Sequence, residues 1–420
     1  MHFSRASIAL PIWLFCSTVQ SDLIYVASSS KNITTLSLTY EYFASTNPDI
    51  YVEDGYFAGF APEKKYSLSV VDTFKTPAAS PAWITLNKHN NILYLVDGVT
   101  AGNGSLTAYR TSSKNATGPP VELDSVECLL DGAYAGFYPN GKGLAVAHYT
   151  SSALHIYDIT ASNGTILPLE TFTCTMSSPG PAYPRGPYLL AVDLGADKVR
   201  QYIINMETLL LDERPALNAT PGSGARHGVF TKDPIMFPDG VASYVFYLAA
   251  EIAGTITAYR VTYLTNRGGL QFDLLPNGTY SSLELGTPQP DTGGKGITGE
   301  LLISPDGEFL IASNRRDKKF NGTATQYPPD GQSDSISTFR IRQDLAGRLD
   351  FVQSAAAGGY ISRTMNLNSA GNLAVIGTQE GNRLAVLERD LGSGLFKKQV
   401  ADAYVEGDIW GVLWNDYNDI

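Results

Sequence analysis

The sequence predicts an all-β fold: a seven-bladed β-propeller whose ring is closed by N- and C-terminal strands. Three observations point there. A strand–turn–strand unit recurs six times, clearest in Glu300-Leu-Leu-Ile-Ser-Pro-Asp-Gly-Glu-Phe-Leu-Ile-Ala-Ser-Asn314 and Met365-Asn-Leu-Asn-Ser-Ala-Gly-Asn-Leu-Ala-Val-Ile-Gly-Thr-Gln379. Composition favours strands and turns, with Gly 40, Pro 23, Tyr 24 and Phe 17 among 420 residues and only 17% charged side chains. An incomplete unit stands at each end of the chain, and the two are complementary.

The elements follow in chain order. Leu23-Ile-Tyr-Val-Ala27 and Thr34-Thr-Leu-Ser-Leu38 read as second and third strands without an inner partner. Six inner-plus-second strand pairs come next, near residues 82–97, 134–148, 178–193, 226–251, 299–314 and 361–379. Each is followed by a third strand such as Ser105-Leu-Thr-Ala-Tyr109. Tyrosines at the third-strand ends (Tyr109, Tyr157, Tyr202, Tyr259) read as packing between blades. Asp408-Ile-Trp-Gly-Val-Leu-Trp414 reads as an inner strand without its sequel. Joining the two ends completes a seventh blade, removes free sheet edges and gives about 57 residues per blade. Residues 262–298 and 316–334 read as insertions, the second carrying a Pro328-Pro-Asp-Gly331 turn.

Met1-His-Phe-Ser-Arg5 is a short basic start and Ala6 to Val19 is almost wholly apolar or small. This predicts a signal peptide over residues 1–20, cleaved near Gln20 or Ser21, and a single domain over 21–420. The run is short for a bilayer span. Sequons at Asn32, Asn103, Asn115, Asn163, Asn218, Asn277 and Asn321 agree with a secreted, extracellular glycoprotein. After cleavage Cys128 and Cys174 remain, at equivalent places in neighbouring blades. A disulfide and two buried thiols are both open readings. Net charge is −11 with no compensating Lys/Arg block, which argues against nucleic acid and anionic membrane as partners. The sequence has no zinc spacing, Gly-x-Ser-x-Gly elbow, phosphate-cradling Gly-rich loop or His-Glu-x-x-His.

Antiparallel neighbours place the start of an inner strand and the end of the second on one rim. That rim gathers Trp83, Asp97, His148, Ser177, Ser178, Asp193, Arg226, His227, Glu251, Asn314, Arg315, Arg363, Gln379 and Glu380. The arginines suit a carboxylate or phosphate, and Glu251 suits general acid–base work. The alternative is that Arg226, Glu251 and Arg315 are structural ion pairs between blades. Strand alternation points His227 away from Arg226, toward the blade interior.

Ala225-Arg-His-Gly-Val-Phe230, Glu251, Ser304-Pro-Asp-Gly307 with Ala312-Ser-Asn-Arg315, Asp334-Ser-Ile336 and Gly358-Gly-Tyr-Ile-Ser-Arg363 resemble the lactonase family of seven-bladed propellers. That family includes 6-phosphogluconolactonase-like proteins and the fungal carboxy-cis,cis-muconate cyclising enzyme, and the resemblance implies a fungal, secreted member. It implies catalytic roles for Arg226, Glu251 and Arg315, the arginines holding the substrate anion and stabilising charge on the lactone oxygen. Arg363, Asn314 and Asp193 are the candidate substrate-binding residues. The family's Pro-His-x-His-like run is replaced by Cys174-Thr-Met-Ser-Ser-Pro-Gly180, and His148, one blade earlier on the rim, is the candidate substitute.

Three readings follow. The first is a lactonase-like enzyme that opens or closes a small carboxylate-bearing lactone at one channel mouth, with no cofactor and no metal. The second is a propeller without catalysis that binds a small anionic ligand or glycan. The third, a calcium-dependent lactone hydrolase using Asp97, Asp193, Glu251 and Asn314, is disfavoured by the arginines beside them.

Overall fold

Seven sheets stand around a central channel in the computed structural model, which describes residues 21–43, 63–111, 119–174, 186–266, 268–293, 295–321 and 331–415. Blade 1 joins Ile409–Asn415 to Ser21–Ser28, Asn32–Phe43 and Glu63–Lys75. Blade 2 runs Pro81–Asn87, Ile92–Asp97, Gly104–Arg110 and Val121–Cys128; blade 3 runs Gly132–Phe137, Gly143–His148, Ala153–Asp158 and Leu167–Thr173. Blade 4 contributes Tyr188–Asp193, Lys198–Ile204 and Leu211–Asn218 among the described residues. Blade 5 is Ala225–Phe230, Ala242–Ala250, Thr255–Tyr263 and Leu270–Ser281. Blade 6 is Thr298–Ile303, Phe309–Asn314, Ser335–Arg342 and Arg348–Ala356, and blade 7 is Tyr360–Leu367, Leu373–Glu380, Arg383–Arg389 and Phe396–Tyr404. Innermost strands touch in succession from blade 5 through blades 6, 7, 1 and 2 to blade 3. The expected signal segment, Ser177, Ser178 and the sequon at Asn115 lie outside the described residues.

Each blade is covered on both faces by its neighbours. Its second strand therefore reads as a continuous apolar run, buried throughout in Ile92–Asp97, Gly143–His148 and Phe309–Asn314. Apolar side chains of adjacent sheets interleave, as where Ile24, Val26, Val375, Val386 and Trp414 join blades 7 and 1. Tyr109, Tyr157, Tyr202 and Tyr259 are buried in such seams. The outermost strands face solvent and are largely polar, which leaves them a weak signal in sequence; the stretch read as an insertion at 262–298 contains one, Leu270–Ser281. In the other, Phe320–Asn321 pairs with Gln332–Ser333. Tight turns join first and second strands: Gly307 sits at φ 78°, and Asp306 Oδ1 accepts the Glu308 N–H at 2.8 Å.

The ring closes as the chain ends suggested. Ile24 faces Trp414, Tyr25 faces Leu413 and Val26 faces Val412 in an antiparallel ladder. Trp414 is 1% exposed, and its Nε1 donates to the Asn366 carbonyl of blade 7 at 3.0 Å. Cys128 and Cys174 are both buried thiols outside any disulfide, held in different inter-blade cores, which decides the question of their pairing. Trp414→Ala should cost about 3–5 kcal/mol, read as a lower urea midpoint, because it opens a cavity at the seam that locks the ring.

Candidate active site

One local irregularity recurs near the start of the innermost strands. Pro81 faces Asp97 but Trp83 faces Val96, so Ala82 is an extra residue. Ala133, Arg226, Arg363 and Trp410 are the corresponding extra residues of blades 3, 5, 7 and 1. In blade 6, Gly299 and Glu300 together occupy the space opposite Ser313. A β-bulge of this kind breaks strict alternation and lets consecutive side chains face the same way. Ala133, Arg226, Gly299, Glu300, Arg363 and Trp410 all line one cavity of about 280 Å³, with Trp83, Thr100, Asp131, Tyr134, Tyr149, His227, Glu251 and Arg315.

Arg226 Nη1 donates to Glu251 Oε2 at 2.5 Å, Arg315 Nη2 donates to Glu251 Oε1, and Arg226 Nε donates to the Gly299 carbonyl at 2.9 Å. The triad ties blade 5 to blade 6 and lines the cavity at once, so the ion-pair reading and the site reading describe the same groups. Gly296 lies against Glu251, where any Cβ would fall 1.8 Å from Glu251 Cγ. Arg363 lies 4.3 Å over the Trp410 ring and has no carboxylate partner among the described residues.

The protonation states follow from this crowding. Burial works to raise the Glu251 carboxyl, but the Arg226 and Arg315 guanidiniums outweigh it and hold the group at about 2. Burial, then the Arg226 charge, lowers Arg315 to about 9 and Arg363 to about 10. Burial raises Glu300 to about 7 against the pull of the Met365 N–H, which donates to its Oε2 at 2.6 Å, and of Arg226 and Arg363. Arg226 and Arg315 thus share one firmly ionised carboxylate, with Arg363 stacked on Trp410 in the same cavity.

Arg226, Glu251, Arg315 and Arg363 are brought together as the sequence suggested. His148, Asp193 and Asn314 are not. His148 and Asn314 each end a second strand, and the residue after each (Tyr149, Arg315) lines the cavity; Asp193 also ends a second strand, but neither it nor Leu194 lines the cavity. His148 is fully buried, and burial with the nearby His155 lowers its pKa to about 4. Asp193 pairs with Arg200 at 2.8 Å, and Asn314 Nδ2 donates to the Ser282 carbonyl at 3.1 Å and to the Ser335 and Ser337 hydroxyls. Asp97 accepts the N–H groups of Ala79, Ser80 and Val99, anchoring a loop. His227, expected in the blade interior, lines the cavity and meets Tyr134 edge-on at 6.2 Å, because the bulge at Arg226 cancels the alternation. Burial, then Arg226, lowers its pKa to about 3. Gln379 and Glu380 do not reach the cavity.

Comparison with known proteins places this architecture. Residues 57–412 match the family model for Lactonase, 7-bladed beta-propeller. The chain belongs to that family. It is 27% identical over 334 residues to a protein of Arthroderma benhamiae named "Probable 6-phosphogluconolactonase", covering 76% of each chain. It is 24% identical over 361 residues to the 6-phosphogluconolactonase of Formosa agariphila, covering 81% of this chain and 89% of that one. The Pseudomonas aeruginosa periplasmic gluconolactonase shares the fold with a TM-score of 0.70 at 20% identity, over 94% of this chain and 99% of that one.

Glu251→Gln should cost about 3–5 kcal/mol in denaturant unfolding at neutral pH, because two buried guanidiniums lose their countercharge. The sign with pH is set by the lowered pKa. The wild-type stabilisation is fully present above the ordinary carboxylate value and is lost as pH falls through about 2, so an acid titration of stability should show a component that the variant lacks.

Proposed function

We propose that this chain opens a small lactone bearing a carboxylate or similar anionic group, in the cavity between Arg226, Arg315 and Arg363. The observation that carries the reading is the convergence of three guanidiniums on that cavity, of which Arg226 and Arg315 pair with Glu251 while Arg363 has no carboxylate partner among the described residues. Burial, then repulsion by Arg226, lowers Arg315 and Arg363, and a bound anion offsets both. Arg315 Nε and the indole N–H groups of Trp83 and Trp410 are buried without a protein acceptor among the described residues, which fits a ligand rich in oxygen acceptors. Relatives named 6-phosphogluconolactonase support lactone chemistry. Cyclisation of a carboxymuconate is a different bond change, the addition of a carboxylate oxygen across a C=C bond with no water exchanged, and shares with lactone opening only the anionic class of ligand.

Glu251 has the role of countercharge in this reading. A carboxylate held near 2 is a weak base, so Glu251 orients Arg226 and Arg315 toward the ligand while the arginines stabilise negative charge on the carbonyl oxygen. We further propose secretion: the sequon residues Asn103, Asn163 and Asn218 are exposed in loops or at a strand end, and Asn277 is exposed at an irregularity in the outer strand Leu270–Ser281, positions where glycans are tolerated. An extracellular location disfavours a phosphorylated sugar lactone and favours a carboxylate-bearing one.

A second reading, anion binding without turnover, is favoured by one observation: His148, the substitute for the missing family histidine, does not reach the cavity. Arg226→Ala separates the two. Lactone opening should fall about 10²–10³-fold in kcat/KM on a panel of carboxylate-bearing lactones. Unchanged turnover would remove the site from the reaction, and wild-type binding of a hydroxy-carboxylate by calorimetry with no turnover on any lactone would establish the binding-only reading.

A further inference from the structure

The channel holds a second cavity of about 650 Å³, lined by the same innermost strands farther along, including Thr85, Phe137, Lys232, Ile303 and Asn366. Four side chains border both cavities: Trp83, Tyr134, His227 and Glu300. They form the partition between the two cavities. An acid–base group at this partition touches the ligand side while keeping a route to solvent on the other.

We infer that Glu300 is the general base and general acid of lactone opening, an assignment resting on the function proposed above. Its backbone is fixed: the Ser313 hydroxyl accepts the Glu300 N–H at 2.9 Å, and the Met365 N–H fixes Oε2 at 2.6 Å. Unlike Glu251, it forms no ion pair among the described residues, so its proton is not suppressed by a bound guanidinium. The titratable and charged groups facing it are Arg226 and His227 of blade 5, Arg363 of blade 7 and Tyr134 of blade 3. Burial, with the Glu300 charge second, raises the Tyr134 phenol, and His227 is held near 3, so neither exchanges a proton near neutrality. Glu300, at about 7, does.

The step balances without another reactant. The Glu300 carboxylate takes one proton from water as the water oxygen bonds to the lactone carbonyl carbon. The tetrahedral intermediate then collapses, the ring C–O bond breaks, and Glu300 hands that proton to the departing ring oxygen. The product is a hydroxy acid, which releases its carboxyl proton to solvent, and Glu300 is again ionised. The base must start ionised, so the rate rises with pH through the Glu300 titration.

Glu300→Gln tests this, because the amide oxygen keeps an acceptor for the Met365 N–H. We expect kcat/KM to fall about 10²–10⁴-fold, with calorimetric affinity for the hydroxy-carboxylate product within about two-fold of wild type. The wild-type pH profile should rise with a midpoint near 7 and the variant should lack that limb. Infrared spectra should show a protonated-carboxyl band that disappears on raising pH through 7 in wild type and is absent from the variant. A variant that keeps the wild-type rate and limb overturns the Glu300 assignment alone, provided Arg226→Ala is inactive. A wild-type chain that opens no lactone overturns the proposed function and this assignment with it, even if the infrared band titrates near 7.

Discussion

A β-strand with strict alternation offers a central channel every second side chain, and the residues between them go to the other face. One extra residue near the head of each innermost strand among the described residues lifts that restriction. In blades 1, 3, 5, 6 and 7 the bulge delivers Trp410, Ala133, Arg226, Glu300 and Arg363 to one opening, beside Trp83, Tyr134 and His227, which follow or adjoin the bulges in their own strands. Without the bulge, Arg226 and His227 could not share a wall. The chemistry of the mouth is thus set by a backbone feature that repeats around the ring.

The same arrangement concentrates cost. Burying several guanidiniums is unfavourable unless each is paired or stacked, and the protein meets this with one carboxylate and one indole. Glu251 serves both Arg226 and Arg315, and Trp410 supports Arg363 with its ring face. Burial, then the charge of Arg226, depresses Arg315 and Arg363; the guanidiniums of Arg226 and Arg315 hold Glu251 ionised; and Glu300 is left poised near neutrality, because burial outweighs the attraction of Arg226 and Arg363 there. Glu251, held at about 2, and Glu300, raised to about 7, are thereby pushed in opposite directions within one cavity, which separates an anchoring role from a proton-transferring one.

Much of the fold is legible in the sequence, because strand repeats with Asp-Gly or Ala-Gly turns and complementary half-blades are local patterns. The ladder of Leu23 with Asn415 follows from them directly. Arg226, Glu251, Arg315 and Arg363 are legible too, as charged residues at strand ends where apolar runs stop. Two misses share one cause. His148 and Asn314 stand one residue short of the turn toward the channel, and periodicity does not resolve a strand end to a single position; Asp193 is instead held in an ion pair with Arg200. His227 and Glu300 were missed because a bulge is invisible to a period-2 count; the charged side chain directly after Gly299, inside an otherwise apolar inner strand, was the available signal. Outer strands escape notice because solvent asks little of their pattern.

The central claim is that the bulged strand heads build an anion site at one mouth. It is tested most directly by a crystal structure of the protein soaked with a small hydroxy-carboxylate, the product of opening a carboxylate-bearing lactone. The account predicts the carboxylate within hydrogen-bond reach of Arg315 and Arg363, against Trp410, with the rest of the ligand toward Glu300. Density for the ligand in the larger opposite cavity, or at the outer blade edges with the arginine cluster unengaged, would contradict it.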